Sequence, residues 1–442
     1  MQRSGGDRVG ASRTAGVRTR VRQFASTATD VVRRHRPDYL ILLYMALLML
    51  FGLIIIYAIG PQRANVLNNS YGSDYSDSYF FIKQTVSLIL ALGAFAVFAT
   101  VPFKWILKHG GLFLVIGLVA CSLLFLAQIA GWGIAYCSLG ACRWFDLGPL
   151  GSLQPAEILK FGLMIYIAAF LGVRAKEGKV NDLKETLIPV AVLTAIAMLF
   201  IIVVQRDLGT GIALTSIIVS MLFVAGMSKK VGLSLVALLL VLGAVFIFSE
   251  PHRIERLGTY IQGDNTSLSN DNDYHIEHAK IAIGSGGLFG RGIGNSVEST
   301  GYLPEAINDS VFAVMGETFG FVGLVAIILL FVALLLRLLK VMDHLVDQRL
   351  KLLVAGVFGW FGAHVILNIA AMTGIFPLTG ITLPLLSFGG TSMIFITAAL
   401  GLVFQLSRYT IHSSRITKEA THENLSSRRG VGRPRYTGRR GL

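Results

Sequence analysis

The feature that most limits the fold of this chain is a series of apolar runs, each near 20 residues, separated by short charged or turn-forming segments. A helix needs about 20 residues to cross roughly 30 Å of hydrocarbon. Lipid offers no partners to the backbone of an isolated strand, and the runs lack the alternation of barrel strands. Only 14% of the residues are charged and 54% are hydrophobic, which argues against a soluble core. The sequence therefore predicts an all-α, polytopic membrane helix bundle.

Ten transmembrane helices are predicted, because each apolar run begins and ends at charged or turn residues. An even number of spans places both termini on the same side of the membrane. A large outer loop, residues 250–309, separates the seventh span from the eighth. The predicted spans are residues 39–59, 79–101, 111–131, 156–173, 186–204, 209–227, 231–248, 310–336, 352–373 and 390–407.

Basic residues indicate which side of the membrane is cytoplasmic. The loops after the second, fourth, sixth and eighth predicted spans are rich in Lys and Arg, and so are residues 1–37 and 409–442. The positive-inside rule makes this side cytoplasmic. Both termini are therefore predicted to be disordered cytoplasmic tails around a membrane domain of residues 38–408. The basic tails favour anionic membrane lipids over nucleic acid as partners.

The three cysteines differ in their predicted surroundings. Cys121 lies inside a predicted span and indicates packing, whereas Cys137 and Cys142 lie five positions apart in an outer loop. Oxidation is possible on that side of the membrane, so a disulfide and two free thiols both remain open. Four metal ligands are not grouped near these residues in the sequence, which argues against a structural zinc site.

Polar residues at membrane depth carry the functional signal, because a charge placed there costs at least a few kcal/mol and needs a partner or water. In this chain they concentrate near the outer ends of the predicted spans. We therefore predict that they line one outer cavity. The segments concerned are residues 143–148, 154–160, 205–210, 309–317, 368–384 and 387–392.

The stretch of residues 275–323 starts polar, passes through a glycine-rich segment and ends apolar. Asp309 stands where this loop becomes a membrane segment, and a carboxylate in that position can act as a general base. Asp is also a favoured helix N-cap, so a structural role at the start of the eighth span is the alternative. The glycines of residues 284–294 either present backbone amides to an anion or allow close packing, and the sequence favours packing.

Six motifs occur in order along the chain, and together they are more specific than any one alone. They are RWxxLG with QPxE and Lys (143–160), QxDLGT (205–210), AIGSGGLxGxG (282–292), YLPEA ending in Asp (302–309), GExxGFxG (316–323) and PxTGxxLP with SFGG (377–390). With these motifs in this order, the chain resembles the SEDS family (shape, elongation, division and sporulation), the group of FtsW and RodA, over residues 38–407. The Gly-x-Gly-Asn-Ser and Tyr-Leu-Pro-Glu-Ala segments are closer to the FtsW division branch.

The resemblance implies an inverting glycosyltransferase of the bacterial plasma membrane. Such an enzyme joins lipid II units by β-1,4 bonds on the outer face and releases undecaprenyl pyrophosphate, with Asp309 as the catalytic base. The resemblance also implies a divalent cation, Mg²⁺ or Mn²⁺, a class B penicillin-binding protein as partner, and contacts with other division proteins. The substrate-binding residues expected from it are Arg143, Lys160, Arg206, Asp207, Glu317 and Ser387.

Three positions depart from the family pattern. Ile307 stands where the family usually has a histidine, so any role of that histidine is lost or moved. Arg206 replaces a proline and Thr318 replaces an acid, and these changes leave the expected base intact. His275 and His278 are spaced too loosely for a metal site and are predicted to lie on a solvated loop face.

Two functions of other classes remain open. A ten-span bundle with a polar outer cavity could flip a lipid-linked cell-wall precursor, although charges confined to one side of the membrane argue against such a path. A noncatalytic scaffold would leave Asp309 dispensable, and a RodA-like polymerase would act in elongation rather than in division. Lys160 and Arg143 also have a structural alternative, since either can pair with an acidic neighbour and hold helices together.

Overall fold

The computed structural model describes residues 36–138, 141–146, 148, 151–248 and 271–410. The basic tails that the sequence predicts, except residues 36, 37, 409 and 410, and residues 249–270 of the predicted outer loop lie outside the described residues. The helices are α1 (Tyr39–Tyr71), α2 (Tyr79–Thr100), α3 (Phe103–Lys108), α4 (Gly110–Ala130), α5 (Pro155–Lys176), α6 (Leu183–Val204), α7 (Leu208–Ala225), α8 (Lys229–Phe248), α9 (Asp271–Ser285), α10 (Val311–His344), α11 (Gln348–Met372) and α12 (Gly390–Leu406).

Within the described ranges, nine helices are long and apolar enough to cross a membrane. They are α1, α2, α4, α5, α6, α7, α10, α11 and α12. The predicted all-α membrane bundle is therefore confirmed. Helix α8 lies where the seventh of the ten spans is predicted, but its side chains from residue 239 onward lie outside the described residues, so its membrane crossing stays a prediction.

Two spanning helices are longer than the apolar runs predict. Helix α1 continues to Tyr71 instead of ending near residue 59, with Pro61 inside it, and Gly72 ends it in the left-handed conformation with φ 64°. Helix α10 continues to His344 instead of ending near residue 336. An apolar run measures how much helix is in hydrocarbon, whereas the helix itself continues until a breaker or cap ends it.

Helices α5 and α11 form the buried centre of the bundle, because most residues of both are buried. Helix α5 packs against α4 and α11 packs against α7, while α12 packs against α2. Small residues allow the close crossings: a Cβ on Gly117 of α4 would lie 2.6 Å from the Cα of Leu159 in α5. The ends of α5 and α11 are therefore held firmly, and so are the polar residues that they carry.

The α11–α12 connection, residues 373–389, folds back against the bundle. A Cβ on Gly52 of α1 would lie 2.8 Å from the Cα of Leu386, so this loop presses on the middle of α1. The Phe388 amide donates to the Ile307 carbonyl at 2.8 Å. The loop therefore joins α1, the segment before α10, and the ends of α11 and α12. We call this end of the bundle, where α1 ends and α10 begins, the Asp309 end.

A small antiparallel sheet lies between α4 and α5, in a region for which the sequence predicts only a loop. Its strands are β1 (Ala135–Ser138), β2 (Ala141–Asp146) and β3 (Ser152–Leu153), in the order β1-β2-β3. Cys137 faces Cys142 across the β1–β2 hairpin and the two form a disulfide. Of the two alternatives that the sequence leaves open, the structure therefore has the disulfide rather than free thiols.

Candidate functional site

Asp309 is the acid of the candidate site and lies one residue before the N-cap of α10. The N-cap position itself is taken by Ser310, without a side-chain capping bond. Oδ1 of Asp309 is buried and has no hydrogen-bond partner within the described part of the chain. The structure therefore does not support the alternative in which Asp309 is only the cap of this helix.

The surroundings of Asp309 favour its protonated form. Burial away from water raises the pKa of the Asp309 carboxyl from its ordinary 3.8 to about 7, and the negative charge of Glu305 adds to this effect. The amide and hydroxyl of Ser310 act in the opposite direction. A carboxyl group with a pKa close to neutral pH can both accept and release a proton, as a general base must.

The backbone of Asp309 is fixed by a buried amide on α11. Nδ2 of Asn368 donates to the Asp309 carbonyl at 2.7 Å and to the Ile381 carbonyl at 2.8 Å. A single side chain thereby ties the loop before α10 to the α11–α12 connection. These groups are 59 and 13 residues away from Asn368 in the sequence, so only the fold brings them together.

Glu305 lies four residues before Asp309 and has an unusual backbone conformation, with φ 49°. Its carboxylate accepts a hydrogen bond from Nδ2 of Asn308. Nη2 of Arg63 lies 3.6 Å from its Oε1. Arg63 is not predicted as a site residue from the sequence, because the first predicted span ends near residue 59. The missed signal is the absence of Gly or Pro between Pro61 and Gly72.

His275 corrects a prediction, because it is not on a solvated loop face. It belongs to α9, which packs along α10, and its Nε2 lies 2.5 Å from Oγ of Ser310. His278 is also partnered, with Nδ1 2.7 Å from Oε2 of Glu298. A helix buries one face when it lies against a neighbour, and α9 buries the face that carries these histidines. Ile307, which replaces the usual histidine of the family, is buried. The imidazole next to the turn of the candidate base is that of His275, from α9.

The glycine-rich segment after α9 packs into a break in α10. Gly320 interrupts the helix with φ 67° and ψ −170°. The amides of Arg291 and Gly292 donate to the carbonyls of Glu317 and Thr318 at 2.8 and 3.1 Å. A Cβ on Gly290 would lie 2.2 Å from the Thr318 carbonyl oxygen. The structure therefore supports the close-packing interpretation of these glycines, since these two amides already have partners in α10.

Glu317 lies beneath this segment and is completely buried. It accepts hydrogen bonds from Oγ of Ser296 at 2.6 Å and from the Val297 amide at 2.9 Å. Nη1 of Arg291 lies 3.5 Å from its Oε1. Glu317 therefore holds the glycine-rich segment on α10, and its contact with substrate stays a prediction.

The turn between α6 and α7 brings together three predicted site residues. Nε of Arg143 donates to the Gln205 carbonyl at 3.1 Å and Nη2 to the Arg206 carbonyl at 2.8 Å. Arg143 thus uses backbone carbonyls rather than an acidic neighbour. Oδ1 of Asp207 accepts from the Thr210 amide at 2.9 Å and caps α7. The side chain of Arg206 is exposed at the tip of the turn.

This turn borders the same connection as Asp309. A Cβ on Gly209 would lie 2.7 Å from the Thr379 carbonyl oxygen. Ser387, in the same connection, is buried and its Oγ accepts from the Leu383 amide at 2.8 Å. The structure therefore brings the 205–207 turn, Ser387 and Asp309 to one loop, and their place in one substrate-binding cavity stays a prediction.

Lys160 lies apart from this loop, inside the bundle. Its side chain is fully buried, its Nζ lies 2.8 Å from Oε1 of Glu157, and the same Nζ lies 4.8 Å from the centre of the Trp360 ring. The ion pair with Glu157 lies within α5, and the contact with the Trp360 ring joins α5 to α11, so Lys160 has structural partners on both helices. Its contact with a phosphate stays a prediction.

Comparison with known proteins places the chain in a family. The family model described as cell cycle protein, of the FtsW, RodA and SpoVE group, matches residues 38–412. The chain belongs to this family. The match covers every residue of the site described above, so the resemblance seen in the motifs is confirmed.

Relatives of this family match the chain over most of their length. A protein of Nitrosomonas europaea named probable peptidoglycan glycosyltransferase FtsW is 33% identical over 379 residues, which cover 84% of this chain and 93% of the relative. Stage V sporulation protein E of Bacillus subtilis is 32% identical over 381 residues, which cover 86% of this chain and 99% of the relative. The similarity thus extends over the whole membrane domain rather than a single motif.

Solved structures share the fold. A chain from a structure described as the coordination of polymerization and crosslinking by a peptidoglycan synthase complex has a TM-score of 0.65 and 25% identity, covering 84% of this chain and 98% of that one. The crystal structure of RodA from Thermus thermophilus has a TM-score of 0.60 and 24% identity, with 85% and 98% covered. The arrangement of helices is therefore that of the family.

Proposed function

We propose that this protein is a peptidoglycan glycosyltransferase that polymerises glycan strands from lipid II during cell division, with Asp309 as its base. The observation that supports this most directly is the Asp309 carboxyl group, with an unpartnered buried Oδ1 and a pKa raised to about 7. Membership of the family and the names of relatives such as the Nitrosomonas europaea protein support the reaction class. The FtsW names support division over elongation.

In the proposed reaction, a hydroxyl oxygen of the acceptor sugar attacks C1 of the donor sugar as the bond from C1 to pyrophosphate breaks. Asp309 accepts the hydroxyl proton, and the pyrophosphate leaves with the bonding electron pair. A single displacement inverts the configuration at C1, so an α-linked donor gives a β bond. General bases of this kind contribute about 10² to 10⁴-fold to a rate.

Positive charge must face the leaving pyrophosphate. Arg206 supports this role best among the predicted residues, because its side chain is exposed at the turn that borders the Asp309 loop. Arg143 would act by holding that turn, since its guanidinium donates to the carbonyls of residues 205 and 206. Asp207 would fix the same turn through its cap on α7.

A divalent cation is a further part of the proposal. The described residues contain no group of three His, Cys, Asp or Glu side chains that could hold a metal ion by themselves. Mg²⁺ often uses only one or two carboxylates and completes its coordination with substrate phosphates and water. The unpartnered Oδ1 of Asp309 and the half-exposed carboxylate of Glu305 fit such a donor set. A cation held there would neutralise charge on the leaving pyrophosphate.

The proposed partner is a class B penicillin-binding protein, and the proposed location is the bacterial plasma membrane. A peptidoglycan synthase complex that couples polymerization with crosslinking includes a chain of this fold, which supports a partner that crosslinks. The positive-inside rule supports cytoplasmic termini and an Asp309 end that faces outward. Contacts with other cell-division proteins are also part of the proposal.

The experiment that tests the proposal is polymerisation of purified lipid II by the protein co-purified with such a partner. Asp309→Asn and Asp309→Ala are compared with the wild type and with Asp77→Asn, which changes an exposed carboxylate in the α1–α2 connection at the same end of the bundle. We expect both Asp309 variants to lose at least about 10²-fold in rate while Asp77→Asn keeps the wild-type rate.

The competing functions give different results in this experiment. Equal polymer from all four proteins would place the base elsewhere. A wild type that makes no polymer, and that moves lipid II between leaflets of a vesicle, would replace the proposal with a flippase. A wild type that does neither but raises the partner's own activity would indicate a scaffold.

A further inference from the structure

The turn that carries Asp309 is braced by one buried hydroxyl, which donates one hydrogen bond and accepts another. Oγ of Ser310 lies 2.8 Å from the Pro304 carbonyl oxygen and 2.5 Å from Nε2 of His275. A hydroxyl has one proton to donate. The Pro304 carbonyl and the Asp309 carboxylate, which also has a hydrogen bond to this hydroxyl, are both acceptors, so the Ser310 proton goes to one of them and the bond from His275 is donated by Nε2–H. The contacts thus assign the tautomer of His275.

The brace joins the two ends of the turn. Pro304 lies at its start and Ser310 at its end, and Asp309 is the residue before Ser310. Inside the turn the Asn308 amide donates to the Glu305 carbonyl at 2.9 Å. Glu305 has φ 49°, a backbone conformation that a residue with a Cβ adopts only when its surroundings impose it. The hydroxyl of Ser310 therefore holds a strained turn closed, and His275 holds that hydroxyl.

His275 is itself held in a rigid position. Ala279 and Ala282 of α9 are completely buried. The end of α9 is fixed as well, because a Cβ on Gly286 would lie 2.0 Å from the Gly316 carbonyl oxygen in α10. A donor on a firmly packed helix can fix the atom that it contacts. Burial lowers the pKa of His275, partly opposed by Glu305, so the imidazole is neutral at neutral pH, as the assigned tautomer requires.

We propose that His275 is a positioning residue for Asp309 and that it acts through the hydroxyl of Ser310. This inference rests on the proposed function, in which Asp309 must meet the acceptor hydroxyl in a fixed geometry. A donor at the position of Nε2 leaves the Ser310 proton to Pro304 and Asp309, and the closed turn keeps the carboxylate in place. Displacing a catalytic group by about 1 Å can cost on the order of 10²-fold in rate.

Two variants of nearly equal polarity test whether the Nε2 position matters. In His275→Gln the amide nitrogen reaches the place of Nε2, whereas in His275→Asn the side chain is one methylene shorter. We expect His275→Gln to keep kcat within about 3-fold of wild type. We expect His275→Asn to lose about 10-fold or more in kcat with KM for lipid II unchanged, because substrate binding does not need the brace.

Two further variants separate positioning from packing. Ser310→Ala removes the hydroxyl and is expected to lose kcat by a factor similar to that of His275→Asn. The double variant should be no worse than Ser310→Ala alone, since both act on one hydrogen-bonded unit. The matched control is His278→Asn, the same change one turn along α9 in a histidine bonded to Glu298 instead of Ser310. We expect it to keep kcat within about 3-fold.

The measurements are steady-state lipid II polymerisation and a check for monodisperse complex with the partner. Wild-type kcat in His275→Asn would overturn the inference. Equal losses in His275→Asn and His278→Asn, or losses that add in the double variant, would also overturn it, since they indicate packing alone. Asp309→Asn, measured beside them, separates the two claims. If it is inactive the proposed function stands whatever His275 does, and if it is active the function and this inference both fail.

Discussion

The two ends of the bundle differ in how closely their charged side chains are paired. At the end where α1 begins and α10 ends, oppositely charged side chains pair at short distances. These pairs are Arg337 with Asp38 at 2.7 Å, Arg349 with Asp347 at 2.8 Å, Lys179 with Glu185 at 2.8 Å, and Arg174 with Glu177 at 2.9 Å. At the Asp309 end the Arg63–Glu305 and Arg291–Glu317 pairs are longer, at 3.6 and 3.5 Å, and one oxygen of Asp309 has no partner within the described residues.

Backbone strain shows the same contrast. Three residues other than glycine have positive φ in the described part of the chain: Arg206 at 51°, Glu305 at 49° and Leu385 at 69°. All three lie at the Asp309 end, in the α6–α7 turn, the turn before α10 and the α11–α12 connection. Residues in such conformations cost about 1 to 3 kcal/mol each and occur often at functional sites. The ion pairs at the first end favour the folded state, while the backbone conformations at the Asp309 end hold side chains in place and lower the free energy of unfolding.

The largest expected difference between the two ends is in activity. Asp309→Asn should lower the polymerisation rate by about 10² to 10⁴-fold, since it removes the base. Asp347→Asn, the same change at the paired end, should leave the rate within about 3-fold, because Asp347 only caps α11 and pairs with Arg349. Rates on purified lipid II decide this, and equal losses in both variants would remove the functional contrast.

A large effect on stability is expected at the centre, between the two ends. Lys160→Met should destabilise the protein by roughly 3 to 5 kcal/mol, because it leaves the buried carboxylate of Glu157 without its partner. The double variant Lys160→Met with Glu157→Gln should recover much of this loss. Thermal unfolding in detergent measures both, and no recovery of stability in the double variant would contradict the pairing as the source of the loss.

The stability of Asp309→Asn should change in the opposite direction to its activity. The folded carboxyl has a pKa of about 7 against an ordinary 3.8, so the folded state binds the proton more tightly. The stability that comes from the protonated form is present at low pH and is lost as the pH rises through about 7. The variant should therefore exceed wild type in unfolding temperature, by a margin that grows between about pH 4 and 7 at no more than roughly 1.4 kcal/mol per pH unit. A constant margin would contradict this.

A smaller effect concerns the pH dependence of the rate. The base must be ionised, so kcat should rise with pH, with a midpoint near 7 for the carboxyl group alone and at lower pH once a divalent cation binds it. Glu305→Gln removes a negative charge that raises the pKa of Asp309, so the rise should move to lower pH. Asp77→Asn provides the control, since its carboxylate is exposed elsewhere on this end. An unmoved profile would mean that Glu305 does not act on the Asp309 charge.

The smallest effect is expected at the paired end. Arg174→Gln removes a partly exposed partner of Glu177 and Glu185, and such pairs contribute about 0 to 1 kcal/mol each. The unfolding temperature should change little, and less still in high salt because ions screen the pair. A loss comparable to that of Lys160→Met would show that the pairs at this end are a main source of stability.

Local patterns in the sequence already determined the class of fold and the place of the acid. Apolar runs report how much helix can lie in hydrocarbon, so the nine described spans occur where they are predicted. The change from loop to apolar run marked Asp309, and the order of the motifs identified the family. These features depend on neighbours along the chain, which is why a single sequence is enough for them.

The tertiary structure alone decided what surrounds the acid. The sequence predicts a solvent-exposed His275 and gives no role to Arg63, because the hydrogen bond to Ser310 and the contact with Glu305 cross 35 and 242 residues of chain. The glycine-rich segment and the cysteines each have two interpretations in the sequence, which the break at Gly320 and the β1–β2 hairpin resolved. Contacts of this kind arise when helices pack, and packing depends on the shapes of distant surfaces that no local pattern records.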